Sequence, residues 1–407
     1  MAMDPQEFKK RKEERARKRR QHKKRMRILG IAGATLLVVA IVILIIVLAG
    51  KNSGKKPPEV EKVNQTVVHI AAVGDLNVTE KLVQSGGLEY DYTDTFKDVL
   101  PLLADADVTL LNLEGNFYGA PYGTDRSAPQ SLAKALARAG VDIVQMANSY
   151  SIYKGMDGLK KSLTALENEG LVALGAYPST AAAQQEKGYV IRNVQGVKIA
   201  FAAFTKGMDG MALPAGNEGC VNVLYEDYAT DYRKVDTENI TRILSAAEKE
   251  KPDLTVVMLH WGSEFNDNVS QSQEDILKML QAQGVDVVIG THSHYVQKMV
   301  LDKEKGTFVA YSLGDFVGTA RAGSEYSVVL DLEITKDMES GKTTVTNFSY
   351  TPIFTVMEEE KPLRVVRISD AMQAFEKDYL DSISQETYDA MTYALKRIEA
   401  RINPTEK

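Results

Sequence analysis

The chain has 407 residues, of which 44% are hydrophobic and 26% are charged. This composition is typical of a folded protein with a substantial core, and it excludes a disordered chain. The net charge of −6 is uneven, because residues 1–27 hold 13 Lys and Arg against 4 Asp and Glu, which leaves about −15 for residues 28–407. That acidic field does not favour nucleic acid, and no nucleic-acid partner is expected. The single cysteine excludes an intrachain disulfide.

An uncharged segment from Ile28 to Gly50 predicts a transmembrane helix, since its 23 residues would extend about 34 Å and cross a bilayer core. The preceding residues are far more basic than those that follow, which places the N-terminus in the cytoplasm and the rest outside. We therefore predict a single-pass protein of the cell membrane with an extracellular C-terminal domain. Its parts are a basic cytoplasmic head at 1–27 that attracts membrane lipid, the helix at 28–50 and a linker at 51–66.

Two alternatives remain for this N-terminal region. A cleaved signal peptide would have a shorter apolar stretch and a small-residue cleavage site, for which Leu48-Ala49-Gly50 is a poor match. The basic run is also typical of a nucleic-acid-binding tail, but its position beside the apolar segment favours a role in membrane topology.

From Val67 onward, short runs rich in Val, Ile and Leu alternate with segments that have helical spacing. The predicted strands are, in chain order, Val67–Val73, Val108–Leu113, Val141–Ala147, Leu171–Leu174, Tyr189–Val194, Val197–Phe204, Leu254–His260 and Val285–Ile289. The helices predicted among them are Ser131–Ala139, Leu159–Glu169, Ile240–Glu250 and Glu274–Gln283. Apolar strands separated by helices indicate a layered α/β core that is buried on both faces.

After this alternating part, strands follow one another without intervening helices. They are Val296–Leu301, Thr307–Tyr311, Tyr326–Ile334 and Thr343–Thr351. This change of pattern predicts a second sheet, built from the late strands and stacked on the first. We expect residues 67–360 to form one domain and residues 361–407 to form a helical tail, with its helices between Asp370 and Ile402.

Polar side chains recur where the predicted strands end, which is where α/β folds place their ligands. The residues at these positions are Asp75, Glu114, Asn148, His260, His292 and His294. Each of them alone is typical of a turn, but together they offer the carboxylates and imidazoles that divalent ions prefer. Glycines beside several of them permit tight turns. The set therefore predicts a metal site; an α/β domain with ordinary polar turns and no metal remains the alternative.

The motifs and their order resemble those of a known family. They are GD at 74–75, NLE at 112–114, AN at 147–148, HWGSE at 260–264, GTHSHYVQ at 290–297 and YSLGDF at 311–316. Over roughly residues 67–320 the chain is similar to the CapA/PgsA-type capsule-synthesis proteins, which belong to the calcineurin-like metallophosphatase superfamily. The resemblance implies a four-layer α/β/β/α sandwich, membrane anchoring and a role in making or exporting poly-γ-glutamate or a related capsule.

The resemblance also implies a cofactor and partners. The cofactor would be a divalent metal, Mn or Zn, as one or two ions. Asp75 and His294 would bind one ion, Glu114 would bridge, and Asn148, His260 and His292 would hold the second. The implied partners are membrane proteins of capsule synthesis and an anionic surface polymer.

The chain departs from the family pattern next to Asn148. The family usually has Asn-Asn-His followed three residues later by Asp, and here Tyr150 and Tyr153 occupy the His and Asp positions. Tyrosine has an unperturbed pKa near 10, so it is a poor proton donor near neutral pH. In addition, Asp315 stands where the family more often has Asn, which adds a carboxylate near the site.

Two functional hypotheses follow from this departure. In the first, the protein is a metal-dependent hydrolase, such as a phosphoesterase, that acts on a cell-surface substrate, with Tyr150 or His294 hydrogen-bonded to the leaving group. In the second, it is a catalytically inactive subunit that binds metal or polymer within a capsule-synthesis complex, which the tyrosines favour. The preferred interpretation is a capsule-synthesis role with the question of catalysis open.

Overall fold

The computed structural model describes residues 64–359, 361–379 and 383–403. The strands in this part are β1 (Gln65–Asn77), β2 (Val108–Glu114), β3 (Ile143–Gln145), β4 (Val172–Leu174), β5 (Tyr189–Val194), β6 (Val197–Thr205), β7 (Leu254–His260), β8 (Val287–Thr291), β9 (Met299–Asp302), β10 (Thr307–Ala310), β11 (Asp315–Val317), β12 (Tyr326–Asp337), β13 (Thr343–Val356) and β14 (Arg364–Arg367). The helices are α1 (Glu80–Ser85), α2 (Thr93–Phe96), α3 (Leu100–Ala104), α4 (Ser131–Ala139), α5 (Gly155–Asn168), α6 (Thr180–Glu186), α7 (Thr237–Glu248), α8 (Gln271–Ala282), α9 (Ile368–Glu376) and α10 (Gln385–Ile402).

The strands form two mixed sheets. The first has the order β14-β13-β12-β1-β2-β3-β4, with β11 paired to β1, and the second has the order β5-β6-β7-β8-β10-β9. The prediction of a separate sheet built from the late strands is wrong, because β9 and β10 join the sheet of β6–β8 whereas β12 pairs with β1. Each sheet thus combines parallel strands with antiparallel ones, which are β12, β13 and β14 in the first sheet and β5 and β9 in the second.

The two sheets pack face to face and are covered by helices on their outer sides. In β6, Ile199 and Phe201 enter the large core that the two sheets share, whereas Ala202 and Phe204 enter a second core. That second core also holds the apolar faces of α7 and α8. Strands β1 to β4 advance in one direction across the first sheet, so right-handed crossovers place α3, α4 and α5 on one face. The layers are therefore helix, sheet, sheet and helix, which corresponds to an α/β/β/α sandwich.

Four aspartates set the beginnings of parallel strands. Asp107, Asp142, Asp253 and Asp286 lie just before β2, β3, β7 and β8, and the carboxylate of each accepts an N–H from the neighbouring strand at 2.7–3.0 Å. The backbone N–H of each aspartate donates in turn to the carbonyl of that same neighbouring residue. This paired bond fixes the register of the parallel strands, so that their carboxyl ends lie side by side at one edge.

The C-terminal part is less purely helical than predicted, since β14 pairs with β13 before α9 and α10 follow. The basic head at 1–27, the transmembrane helix at 28–50 and most of the linker at 51–66 lie outside the described residues. Among the residues that are described, no helix has both the length and the apolar character needed to cross a membrane.

Candidate metal centre

The polar residues at the strand ends meet at one buried place. Asp75 lies near the end of β1, Glu114 ends β2 and His260 ends β7, whereas His292 and His294 follow β8. The register places Asp75 beside Asn112 of β2 and His260 beside Thr291 of β8. Because the two sheets are stacked, these ends approach one another across the sandwich. We call this group of side chains, together with Asp315, the metal centre.

One part of the metal centre is the glutamate cluster, formed by Glu114, His260 and His292. One ligand atom from each lies within 4.8 Å of the others, and all three side chains are buried. His260 Nε2 lies 3.4 Å from Glu114 Oε1 and 3.0 Å from His292 Nδ1. A carboxylate and two imidazoles in this arrangement are a donor set that suits zinc or manganese.

The other part is the aspartate cluster, formed by Asp75, His294 and Asp315, whose ligand atoms also lie within 4.8 Å of one another. His294 Nδ1 lies 2.8 Å from Asp315 Oδ1 and 3.7 Å from Asp75 Oδ2. The two clusters are joined, because Asp75 Oδ2 accepts the backbone N–H of His292 at 3.0 Å. The metal centre is therefore one continuous polar site with two places for a cation.

Glycines allow the backbone to close around the aspartate cluster. A Cβ on Gly74 would lie 1.7 Å from the carbonyl oxygen of Gly314, so only glycine permits this approach. The approach lets Asp75 N–H donate to that carbonyl at 3.0 Å and lets β11 pair in parallel with β1. As a consequence, Asp315 lies directly opposite Asp75.

The turn after β8 aims two imidazoles into the metal centre. His292 and His294 have φ angles of +85° and +58°, which are uncommon for residues other than glycine. The intervening Ser293 is buried and belongs to neither cluster, since its hydroxyl donates to the carbonyl of Tyr295. The left-handed backbone at both histidines thus brings side chains two residues apart to the two different clusters.

Three carboxylate oxygens of the metal centre lack hydrogen-bond donors within the described residues. In the described part of the chain, both oxygens of Glu114 and Oδ2 of Asp315 are buried without a hydrogen-bond partner. Burial raises the pKa of Glu114 to about 8, with Asp75 adding to the rise, and burial raises the pKa of Asp315 to about 7. Buried carboxylate oxygens without donors are what a cation would satisfy, so the residues present fit a divalent metal.

The histidines differ in charge. Burial lowers the pKa of His260 and of His292 well below the ordinary value, and the positive charge of Lys206 adds to the fall. Both imidazoles are therefore neutral at pH 7, which is the form that binds metals. Burial alone would lower the pKa of His294, but Asp315 and the other carboxylates outweigh it and raise that pKa to about 10. In the metal-free protein His294 thus supplies positive charge to the aspartate cluster, and an ion bound by His294 would displace this proton.

Asn148 belongs to the buried network beside the clusters. Its Nδ2 donates to Asn112 Oδ1 at 3.1 Å and to the carbonyl of Leu113 at 2.8 Å, while its Oδ1 accepts the N–H of Tyr150 at 2.9 Å. The carboxamide therefore links the end of β2 to the turn that follows β3. The adjacent Ser149 hydroxyl lies 3.1 Å from His260 Nε2.

Tyr150 lies at the rim of the metal centre. Its ring lies 3.8 Å from the guanidinium carbon of Arg126, and burial raises the pKa of its hydroxyl to about 12. A phenol with that pKa is a weaker proton donor than an unperturbed tyrosine. Tyr153 packs edge-on against Tyr150 with ring centroids 5.6 Å apart, and its side chain is exposed.

Sequence reasoning missed several residues of the site. Asn112 donates to Asp75 Oδ1 at 2.6 Å, Thr291 Oγ1 lies 3.0 Å from His260 Nδ1, and Arg126 Nη1 lies 3.7 Å from Glu114 Oε2. Asn112 and Thr291 lie within the motifs NLE and GTHSHYVQ but were not assigned a role, although their place at strand ends was a usable signal. Arg126 comes from the loop after β2, and Lys206 follows β6; nothing in the pattern of either segment marks them.

Comparison with known proteins gives a consistent picture. The family model described as "Bacterial capsule synthesis protein PGA_cap" matches residues 69–320. The capsule biosynthesis protein CapA of Bacillus anthracis is 27% identical over 272 residues, which cover 64% of this chain and 61% of that protein. The PGA biosynthesis protein CapA of Bacillus subtilis (strain 168) is 25% identical over 270 residues, which cover 64% of this chain and 66% of that protein. The chain thus matches about three-fifths to two-thirds of the length of these relatives.

Among solved structures, a novel phosphatase from Mycoplasma pneumoniae has 12% identity and a TM-score of 0.43, covering 71% of this chain and 94% of that one. At that TM-score the likeness carries no weight for function. The match to the family model spans more than half of the chain and includes both clusters of the metal centre. The chain therefore belongs to the bacterial capsule synthesis protein PGA_cap family.

Proposed function

We propose that this protein acts in the synthesis or export of poly-γ-glutamate or a related anionic surface polymer, and that its metal centre binds one or two divalent ions, Mn or Zn. Glu114, His260 and His292 would hold one ion, and Asp75, His294 and Asp315 the other. The observation that carries the proposal is the burial of Glu114 and Asp315 oxygens that have no donor within the described residues. The names of the Bacillus relatives support the polymer.

The side chains around the clusters prepare the centre for anions. Asn112 and the His292 N–H hold the Asp75 carboxylate in a fixed orientation. Two cations, Arg126 and Lys206, flank the glutamate cluster and favour the approach of a carboxylate or phosphate group. A bound divalent ion would supply Lewis acidity toward an oxygen of that group.

Metal content tests the proposal. We expect the purified wild-type protein to retain Mn or Zn at one or two equivalents after dialysis, and His292→Ala to lose at least one. The matched control is His69→Ala, because His69 is a partly exposed histidine paired with Asp331 rather than with the metal centre. A wild-type protein that retains neither metal would refute the metal site.

A metal-dependent hydrolase is the second candidate. The observation in its favour is the pair of adjacent cation places, since two-ion sites are typical of enzymes that cleave phosphoesters and peptides. Tyr150 and Tyr153 oppose it, because they stand where the family has an acid and a carboxylate. The assay is hydrolysis of a phosphoester and of poly-γ-glutamate by the wild-type protein and by the double variant Tyr150→His, Tyr153→Asp.

The two candidates predict different results in that assay. Clear hydrolysis by the wild-type protein would make it an enzyme. Hydrolysis that appears only in the double variant would assign the native protein a binding role, with the machinery for catalysis complete except for the acid.

The place of action follows from the N-terminal residues. The uncharged run 28–50 and the basic residues before it support a single-pass membrane protein whose C-terminal domain is extracellular, next to the membrane proteins of capsule synthesis. Protease added to intact cells should digest the C-terminal domain. A domain that is cleaved only after cell lysis would contradict this orientation.

A further inference from the structure

A cavity of about 600 Å³ opens between α5 and the loop that follows β2. Basic, aromatic and small polar side chains line it, and we call it the lysine groove. The lining residues that matter are Tyr118, Tyr122, Gln130, Lys160, Lys161 and Thr164. It contains none of the residues of the metal centre.

The charge of the lysine groove is unpaired. Lys160 and Lys161 are exposed, and within the described part of the chain neither forms an ion pair with a carboxylate. Lys161 Nζ lies 4.1 Å from the ring centroid of Tyr118 and donates to the Tyr118 carbonyl at 3.3 Å. Residues 28–407 carry a net charge of about −15. Two lysines without a carboxylate partner are therefore opposite in sign to the net charge of that part of the chain. An anionic ligand is complementary to this place.

One loop connects the lysine groove to the metal centre. Tyr118 follows Glu114 by four residues, a distance of at most about 14 Å along the chain. The loop that begins after Glu114 folds back on itself, because Asn116 N–H donates to the Arg126 carbonyl at 2.9 Å. Arg126 in turn lies 3.7 Å from Glu114 Oε2. One short loop therefore forms a wall of the groove and carries the cation nearest to the glutamate cluster.

A row of rings and cations joins the two places. The Arg126 guanidinium covers the Tyr150 ring, Tyr153 packs against Tyr150, and Lys154 Nζ lies 5.9 Å from the Tyr153 ring centroid. Lys154 is paired with Asp125. It stands one turn before Gly158, where a Cβ would lie 2.4 Å from Lys154 Cβ and 3.7 Å from the Tyr118 ring.

We propose that the lysine groove binds consecutive carboxylates of a polycarboxylate chain such as poly-γ-glutamate and directs that chain toward the metal centre. The inference rests on the proposed function and adds the surface that recognises the polymer. Lysines offer point charges to successive carboxylates, and the tyrosine rings offer an apolar surface to the methylene groups between them. Several weak contacts along one chain combine into useful affinity.

Polymer binding by two charge-reversal variants tests this. The full-length protein, purified in detergent, would be titrated with fluorescently labelled poly-γ-glutamate at two salt concentrations. The test variant is Lys160→Glu with Lys161→Glu. The control is Lys249→Glu with Lys251→Glu, which makes the same change of charge on exposed lysines at the end of α7, on the opposite side of the sandwich.

We expect the test variant to bind the polymer at least tenfold more weakly and the control to stay within twofold of wild type. Affinity should fall as salt rises. Equal losses in the two variants would refute the groove as a site. Binding of phosphatidylglycerol vesicles with the same dependence on Lys160 and Lys161, and no binding of the polymer, would assign the groove to membrane lipid instead and overturn the proposal.

The failure of the metal proposal is distinguishable from the failure of this one. The metal content of the Lys160, Lys161 variant should equal that of wild type, because neither lysine belongs to the metal centre. If the wild-type protein retains no metal but still binds polymer through the two lysines, the metal centre is refuted and the lysine groove stands.

Discussion

Neutralising Glu114 should stabilise the metal-free protein and weaken its stabilisation by metal. Burial raises the pKa of this carboxyl to about 8, from an ordinary value of 4.5. A group whose folded pKa is raised makes its contribution to stability below the unfolded pKa, and that contribution is lost as pH rises through the folded pKa. At pH 7 the folded protein must therefore keep a proton that the unfolded chain releases.

The size of the effect follows from the distance between pH 7 and the unfolded pKa. At about 1.4 kcal/mol per pH unit, the cost is on the order of 3 kcal/mol. Glu114→Gln removes this cost and retains the shape of the side chain. In chelator at pH 7 we expect the variant to melt roughly 5 °C above wild type.

Metal should reverse the order of stability. An ion at about 1,000 times its dissociation constant stabilises the protein that binds it by about 4.1 kcal/mol, which exceeds the cost of about 3 kcal/mol, and an amide is a poorer ligand than a carboxylate. The assay is thermal unfolding in chelator and in Mn, with the exposed Glu304→Gln as the control for the same chemical change. A Glu114→Gln variant that melts below wild type in chelator would refute the reasoning, since Glu114 would then be stabilised by the protein itself.

Three further predictions concern stability. Burial raises the pKa of Asp286 to about 6, and an aspartate with a raised folded pKa destabilises the folded protein as pH rises toward that pKa. Between pH 4 and 7 the free energy of unfolding of wild type, measured in urea, should therefore fall by about 2–3 kcal/mol relative to that of Asp286→Asn; a difference that stays constant with pH would contradict this. Asp267 is half-buried and accepts hydrogen bonds from two arginines of α10, so Asp267→Ala should cost about 1–3 kcal/mol. Asp275→Ala, at an exposed pair with Lys278, should cost under about 0.5 kcal/mol; similar melting temperatures for the two variants would disprove the role of the Asp267 hydrogen bonds. Leu280 is fully buried between α8 and the second sheet, whereas Leu88 is 97% exposed. Leu280→Ala should therefore lower the free energy of unfolding by about 2–5 kcal/mol and Leu88→Ala should leave it almost unchanged, as measured by chemical denaturation.

Local patterns predicted most of the elements of this fold. The strands β2, β5, β7 and β13 lie where apolar runs predicted them, because each such run is buried on both faces or paired within a hairpin. The pairing of β12 with β1 was not predictable in this way, because the two strands are more than 200 residues apart and the local sequence of a strand does not determine which sheet it joins. The aspartates before β2, β3, β7 and β8 are visible in the sequence and mark the beginnings of parallel strands, but the prediction rested on apolar runs and did not include them.

The candidate site shows the same division. Asp75, Glu114, His260 and His292 could be found in the sequence because each follows a recognisable strand, and the structure places them together. The membership of Asp315 in a cluster depends on the approach of Gly74 to Gly314, which only the packed backbone reveals. Arg126 reaches Glu114 from a loop without periodicity, so its position depends on the hydrogen bonds within that loop rather than on any pattern.

Anomalous diffraction from crystals grown with Mn or Zn tests the metal centre most directly. We expect one or two anomalous peaks at about 2.0–2.3 Å from ligand atoms of the two clusters, with one between Glu114, His260 and His292. Peaks found only elsewhere on the protein, or none at all with the six side chains still in place, would contradict it.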